Sequence, residues 1–194
     1  MRNSEERYIS LLTDFGFKRV FGTVPNKDLL IDFLNSLFDG EQVVKDVTFL
    51  NSEHVGDVRS ERKAIFDVYC ALLNYEMSDP AFSTESINHD IGLLDKQTHR
   101  VFNDKLTFKY VEISKFNKSL EELETNYDKW LYVLRNLSRL DSQPDYLRNE
   151  IFNRLFSEAE IAQFSKVELR EYEDSLKAYR DIKNSLDTAK AEGR

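Results

Sequence analysis

The chain has 194 residues, of which 27 are Lys or Arg and 35 are Asp or Glu, giving a formal net charge of −8. With 41% hydrophobic residues, six Gly and three Pro, it can bury a core, which excludes disorder of the whole chain and a collagen-like repeat. The acidic balance argues against loose polyanion binding, and the longest apolar runs are too short to cross a membrane.

The first ten residues, MRNSEERYIS, lack the apolar core of a secretory signal, so we expect a cytoplasmic protein. The length suits one domain, with or without a helical appendage. The single cysteine, Cys70, excludes an internal disulfide and a zinc site built on several thiolates. His54, His89 and His99 lie in separate polar stretches without ligand spacing, which argues against a histidine-based metal site.

The N-terminal half predicts helices followed by strands. Apolar residues repeat every three to four positions through the first forty residues, with Asn26 as an N-cap and Gly40 as a stop. Alternating or continuous apolar patterns predict strands at four places, with a hairpin-like connection between the last two: residues 43–50, 62–70, 88–95 and 105–113.

From Ser119 onward the pattern is helical. We predict helices at residues 119–140, 144–156, 157–163 and 165–191, with capping boxes that pair Ser119 with Glu122, Ser157 with Glu160 and Ser165 with Glu168. The apolar stripe of the first of these helices predicts packing on the sheet. The last helix has near-heptad spacing, which fits either packing onto the preceding helices or a dimer arm; its short stripe favours packing.

Asp67 stands out because it lies mid-strand among apolar neighbours, in Ala64-Ile65-Phe66-Asp67-Val68-Tyr69-Cys70. An unpaired carboxylate is costly to bury, so such a residue needs a cation, a metal or a hydrogen-bond network. One interpretation pairs Asp67 with Arg62 or Lys63, or places it on an exposed sheet face. The other makes it a ligand of Mg²⁺, which takes one or two carboxylates and activates water.

Several long segments carry a family resemblance: residues 14–22 (DFGFKRVFG), 26–38 (NKDLLIDFLNSLF), 47–53 (VTFLNSE), 61–70 (ERKAIFDVYC), 101–137 and 168–194. Together they resemble the Rpn family, the recombination-promoting nucleases and transposases of the PD-(D/E)XK superfamily. The resemblance covers nearly the whole chain.

The resemblance implies an α/β (α+β) fold: a restriction-endonuclease-like core with a reduced mixed sheet over residues 1–116, followed by an all-helical region over 117–194 that packs on it. It implies that Asp67 is the first metal-binding carboxylate of a Mg²⁺ site, assisted by Glu53 or Asp14. It also implies DNA as the partner. The acidic chain would need a local basic patch for DNA, and four residues are the candidates: Lys18, Arg19, Arg62 and Lys63.

The sequence departs from the family pattern directly after Cys70. The pattern continues there into a strand carrying Glu-x-Gln or Glu-x-Lys, which supplies the second metal ligand, whereas this chain runs straight into Ala71-Leu72-Leu73-Asn74-Tyr75-Glu76. Glu76 has no Lys or Gln two positions on. Glu112 and Lys115 are three apart, which in a strand would point them to opposite faces.

Three hypotheses follow. The favoured one is a catalytically degenerate relative that keeps the scaffold and a DNA-binding or oligomerising surface, because one carboxylate does not complete the metal site. The second is an active Mg²⁺-dependent DNA endonuclease that uses Asp67 with a substitute carboxylate. The third is a protein-interaction module, a homodimer included, that docks through its acidic helical half.

Overall fold

The computed structural model describes residues 6–49 and 85–192, apart from the side chains of residues 103–107 and 190. In that part of the chain lie five α-helices and one two-stranded antiparallel sheet: α1 (Asp14–Phe21), α2 (Lys27–Phe38), β1 (Asn88–Leu94), β2 (Val101–Val111), α3 (Asn126–Asn136), α4 (Glu150–Glu158) and α5 (Lys166–Ala191). The predicted mixed α/β class with a helical C-terminal part is therefore confirmed.

The chain forms two compact units. The helical unit combines Met1–Cys70 with Lys118–Arg194, and the hairpin unit is Ala71–Asn117. The division into a core at 1–116 and a helical region at 117–194 stays a prediction.

The N-terminal helices have well-defined ends. The Thr13 hydroxyl caps α1 by accepting a hydrogen bond from the Gly16 amide, at 3.0 Å. Helix α2 ends where Asp39 and Gly40 take positive φ angles of 45° and 83°, so the predicted stop near Gly40 is confirmed. Asn26 is the N-cap residue of α2, as predicted, but its side chain forms no capping hydrogen bond; its amide instead donates to the Arg19 carbonyl at 3.1 Å.

Trp130 of α3 lies at the centre of the helical unit's core. It is fully buried, and its ring centroid is 5.0–5.6 Å from those of Phe21, Phe33 and Phe152. These partners belong to α1, α2 and α4. Within the described residues, Trp130 of the α3 stripe thus packs on helices, whereas the periodicity predicted packing on the sheet; periodicity shows that a face is buried without showing what buries it.

Helix α5 packs on the N-terminal segment through its first half. The Ser165–Glu168 capping box is confirmed, with the Ser165 amide donating to the Glu168 carboxylate at 2.8 Å. Tyr172 is buried against Phe15, with ring centroids 5.9 Å apart. Packing is therefore the correct alternative for this half. Among the described helices, α5 included, none is both long enough and apolar enough to cross a membrane.

Two other predicted capping boxes turn out differently. The Ser119–Glu122 box exists, but it caps only a 3-10 turn, Leu120–Glu122, and a second box of Thr125 with Asp128 starts α3. The predicted helix 119–140 is therefore shorter than expected. Ser157 lies inside α4 and starts no helix, while Glu160 pairs with Arg7 at 2.9 Å.

The hairpin unit contains the predicted pair of strands. β1 and β2 are antiparallel, with Ile91 opposite Phe108 and Leu94 opposite Val101. The strand predicted at 43–50 is wrong over the described residues 43–49, which join no sheet. The strand predicted at 62–70 lies outside the described residues.

Candidate active site

Helix α1 carries three of the predicted site residues. Asp14 is its first residue, and its carboxylate forms an ion pair with Lys18 one turn later, at 2.8 Å. Both side chains are exposed. An acidic residue at the first turn and a basic residue at the last turn suit the helix dipole, so this pair has a local role whether or not Asp14 assists a metal.

Arg19 links three elements of the helical unit. Its guanidinium contacts the carboxylate of Glu168 at 2.8 Å and that of Glu158 at 3.5 Å. It also lies over the ring of Phe164, 5.3 Å from the centroid. The structure thus gives the positive charge of Arg19 two carboxylate partners, which reduces what it can offer to a phosphate.

A shallow cleft of about 480 Å³ lies between α1 and α5. Both acidic and basic side chains line it, and seven residues form the lining: Asp14, Phe15, Lys18, Arg19, Glu168, Glu171 and Ser175. The hydroxyl of Ser175 accepts a hydrogen bond from the Phe15 amide at 3.0 Å. Hydrogen bonds from Ser165, its backbone amide first, lower the pKa of Glu168 from its ordinary value, so this carboxylate stays ionised beside Arg19.

The cleft does not bring together the donors of a metal ion. Across residues 6–49 and 85–192, no group of three or more His, Cys, Asp or Glu side chains has the arrangement of a metal site. The predicted residues Asp67, Glu53, Arg62 and Lys63 lie outside the described residues, so their metal and DNA roles stay predictions.

A second cluster, on the hairpin unit, was not expected from the sequence. β2 ends at Val111 and residues Ile113–Lys115 form a 3-10 turn. The turn brings the Lys115 ammonium into hydrogen-bonding contact with the Glu112 carboxylate, and Nε2 of His89 lies 2.8 Å from the same carboxylate oxygen. The expectation that Glu112 and Lys115 point to opposite faces is therefore wrong, because it assumed that the strand continues.

Glu112 is held ionised in this cluster. Burial by itself would raise its pKa, but hydrogen bonds from Lys115 and His89, together with their charges, outweigh burial and leave the pKa lower than its ordinary value. The contact of His89 with Glu112 could not be predicted from the sequence, because it depends on the strand register, which single-sequence spacing does not give. Chemically, the cluster is one carboxylate neutralised by a neighbouring cation.

A mixed α/β chain with a small sheet, a helical C-terminal part and acidic and basic side chains along its first helix agrees with a reduced restriction-endonuclease-like protein. A family model described as "PD-(D/E)XK nuclease family transposase" matches residues 11–77 and 71–189. The chain therefore belongs to the PD-(D/E)XK nuclease family of transposases, and the predicted family resemblance is confirmed. No curated protein and no solved structure matches the chain.

The family match comes in two ranges that meet at residues 71–77. This junction follows Cys70, the point at which the sequence departs from the family pattern.

Proposed function

We propose that this chain is a catalytically degenerate member of its family, a relative of recombination-promoting DNA endonucleases that keeps the scaffold without a complete metal site. The observation that carries the proposal is the junction at residues 71–77. In the family pattern a strand carrying Glu-x-Gln or Glu-x-Lys follows the Asp67 strand after a polar turn, and no Glu-x-Gln or Glu-x-Lys occurs in this sequence after Cys70.

The ligand requirement of the metal supports this proposal. Nucleases of the family use a divalent metal, and Mg²⁺ is held by carboxylates and waters, so losing the second carboxylate weakens its binding. The described residues do not fit Mg²⁺ by themselves: Asp14 is paired with Lys18, and Glu112 with Lys115. Asp67, even with Glu53 beside it, would lack the lysine or glutamine that orients the attacking water.

The alternative is an active Mg²⁺-dependent DNA endonuclease, and one observation favours it. Glu112 and Lys115 meet at the 3-10 turn after β2, so that a carboxylate and a lysine ammonium are in direct contact. In that case Glu112 would be a candidate for the substitute carboxylate, and Lys115 would supply the charge next to it. His89 contacts the same carboxylate, which already occupies one of its oxygens.

DNA is the proposed partner in both cases, and the cytoplasm the proposed location. Lys18 is exposed and lines the cleft, so it could reach a phosphate by leaving its ion pair with Asp14, which is also exposed; Arg19 would have to leave the less exposed Glu168. Lys18→Ala should weaken DNA binding and reduce its salt dependence, measured by fluorescence anisotropy at several salt concentrations. The control is Lys177→Ala, an exposed lysine of α5. If both variants bind DNA equally well, Lys18 is not part of the DNA-binding surface.

The activity test uses four proteins: the wild-type chain, Asp67→Ala, Glu112→Gln and Lys177→Ala. Each is incubated with supercoiled and linear DNA in Mg²⁺ or Mn²⁺, after circular dichroism has shown that it is folded. Our proposal expects no cleavage by any of them. Cleavage that Asp67→Ala alone abolishes would overturn it, and cleavage that Glu112→Gln abolishes as well would establish the alternative.

A further inference from the structure

The turn end of the hairpin carries several large apolar side chains that are exposed. Eleven large apolar side chains are exposed in the described residues, and six of them belong to β1 and β2. Four of the six adjoin the turn between the strands, and we call them the hairpin patch: Leu93, Leu94, Val101 and Phe102. Phe102 is 77% exposed and Val101 is 65% exposed.

A strand irregularity places Phe102 outward. Leu93 pairs with Asn103 and Leu94 with Val101, so Phe102 is an extra residue between two paired positions. Such a bulge turns its side chain away from the ladder and discourages edge-to-edge pairing of strands. The patch therefore offers exposed apolar side chains for packing against a partner.

The turn next to the patch is firmly built. The Asp95 carboxylate accepts hydrogen bonds from the amides of Gln97 and Thr98, at 2.9 and 2.7 Å, and from the Thr98 hydroxyl at 2.9 Å. Backbone bonds join Asp95 to Arg100 and His99 to Asp95, each 2.9 Å long. The four apolar side chains are thus held by an ordered turn, which lowers the entropy lost when a partner binds them.

We propose that the hairpin patch is the contact surface of a homodimer, in which the patches of two copies pack on each other about a two-fold axis. The four side chains are between 39% and 77% exposed, and packing them against a second copy would give an interface at the small, weak end of the range for protein–protein contacts. An exposed phenylalanine is also a typical anchor of such a contact.

The charges around the patch favour a second copy over DNA or an anionic membrane. Asp95 carries negative charge there and Lys96 and Arg100 carry positive charge, while Asp90 is ion-paired with Lys109 at 3.1 Å. A polyanion or an acidic lipid surface is bound by a cluster of positive charge, whereas this rim carries charges of both signs. A two-fold axis instead allows the acidic groups of one copy to face the basic groups of the other. The proposal does not depend on whether the nuclease chemistry is lost.

Sedimentation equilibrium between about 1 and 200 μM tests the dimer. The wild-type chain should show a reversible monomer–dimer equilibrium with a Kd in the micromolar range. Leu94→Ser combined with Phe102→Ser should weaken the dimer at least about 30-fold. The matched control is Val167→Ser on α5, which is 67% exposed and outside the hairpin, and it should leave the Kd unchanged.

A charge variant tests the same surface without touching the apolar residues. Lys96→Glu combined with Arg100→Glu replaces the positive charges of the turn by negative ones and should weaken the dimer at least about 10-fold through repulsion between like charges. Because both side chains project from an exposed turn, folding should be unaffected. A wild-type chain that stays monomeric to 200 μM, a dimer that neither variant weakens, or an open-ended series of larger species would overturn the proposal. Equal weakening by Val167→Ser would overturn it as well.

Discussion

Asp128 should be one of the most important single carboxylates for the stability of the helical unit. One of its oxygens accepts hydrogen bonds from the amides of Glu124 and Thr125, at 3.2 and 3.1 Å, and from the Lys118 ammonium at 2.9 Å. The side chain is buried, so these donors would lose their partner in Asp128→Ala. Loss of a helix-capping acceptor costs ~0.5–2 kcal/mol, and a charge-assisted hydrogen bond contributes ~1.5–3 kcal/mol.

Because Lys118 is half exposed and can regain water, we expect Asp128→Ala to lower the free energy of unfolding by about 2–3 kcal/mol at pH 7. The assay is urea unfolding followed by circular dichroism. Glu122→Ala is the matched control, because Glu122 closes the same kind of capping box on a fully exposed turn and should matter much less. A loss no larger than that of the control would refute the reasoning.

The pH dependence of this loss has a definite sign. Burial tends to raise the pKa of Asp128, but hydrogen bonds from Lys118, Thr125 and Glu124 outweigh it, so the pKa is lower in the folded chain than its ordinary value. The stabilisation is therefore complete above the ordinary pKa and is lost as the pH falls through the folded pKa. The wild type and Asp128→Ala should thus converge in stability in acid, and a constant difference would contradict this account.

Three further changes have clear expected outcomes. Gly16→Ala should lower the free energy of unfolding by at least about 2 kcal/mol, because a Cβ at this position would lie 2.1 Å from the Ser10 carbonyl oxygen. Urea titrations measure the loss, and an unchanged unfolding midpoint would contradict this close contact between the two segments. Trp130→Ala should cost about 3–5 kcal/mol, measured in the same way, because the side chain is fully buried among aromatic rings; a loss below about 1 kcal/mol would show that it is not central to the core. Burial raises the pKa of Tyr172 to about 12, so absorbance titrations should show a phenol that ionises well above the ordinary pKa of tyrosine. Stability that is present below pH 10 should be lost as the pH rises toward 12. Tyr172→Phe should remove that late ionisation, and a titration identical to the wild type would contradict the assignment.

The hairpin and the principal helices could be predicted because their signals are local. Alternation through residues 105–113 found most of β2, and the Ser165–Glu168 box located the start of α5 within a residue. The same alternation failed at 43–49. There the Asn35 side chain binds the main chain of Val44, accepting from its amide at 2.7 Å and donating to its carbonyl at 3.0 Å. A tertiary contact of this kind satisfies the backbone without a neighbouring strand, and no periodicity reports it.

The residue types of the candidate site could be predicted from the sequence, but the ion pairs that its charged side chains form could not. Lys18 and Arg19 are adjacent in sequence, yet one contacts Asp14 on the same helix and the other reaches Glu168 on α5. Glu112 and Lys115 meet only because the strand ends one residue earlier. Partners of charged groups depend on where elements end and what packs beside them, which single-sequence spacing does not determine.

The central claim is that the chain lacks a complete two-carboxylate metal site, and titration calorimetry with Mg²⁺ and Mn²⁺ tests it most directly. The account predicts no saturable binding tighter than about 1 mM by the folded wild-type chain, and the same result for Asp67→Ala. Saturable binding in the micromolar range that Asp67→Ala abolishes would contradict it, because a second ligand would then have to complete the site.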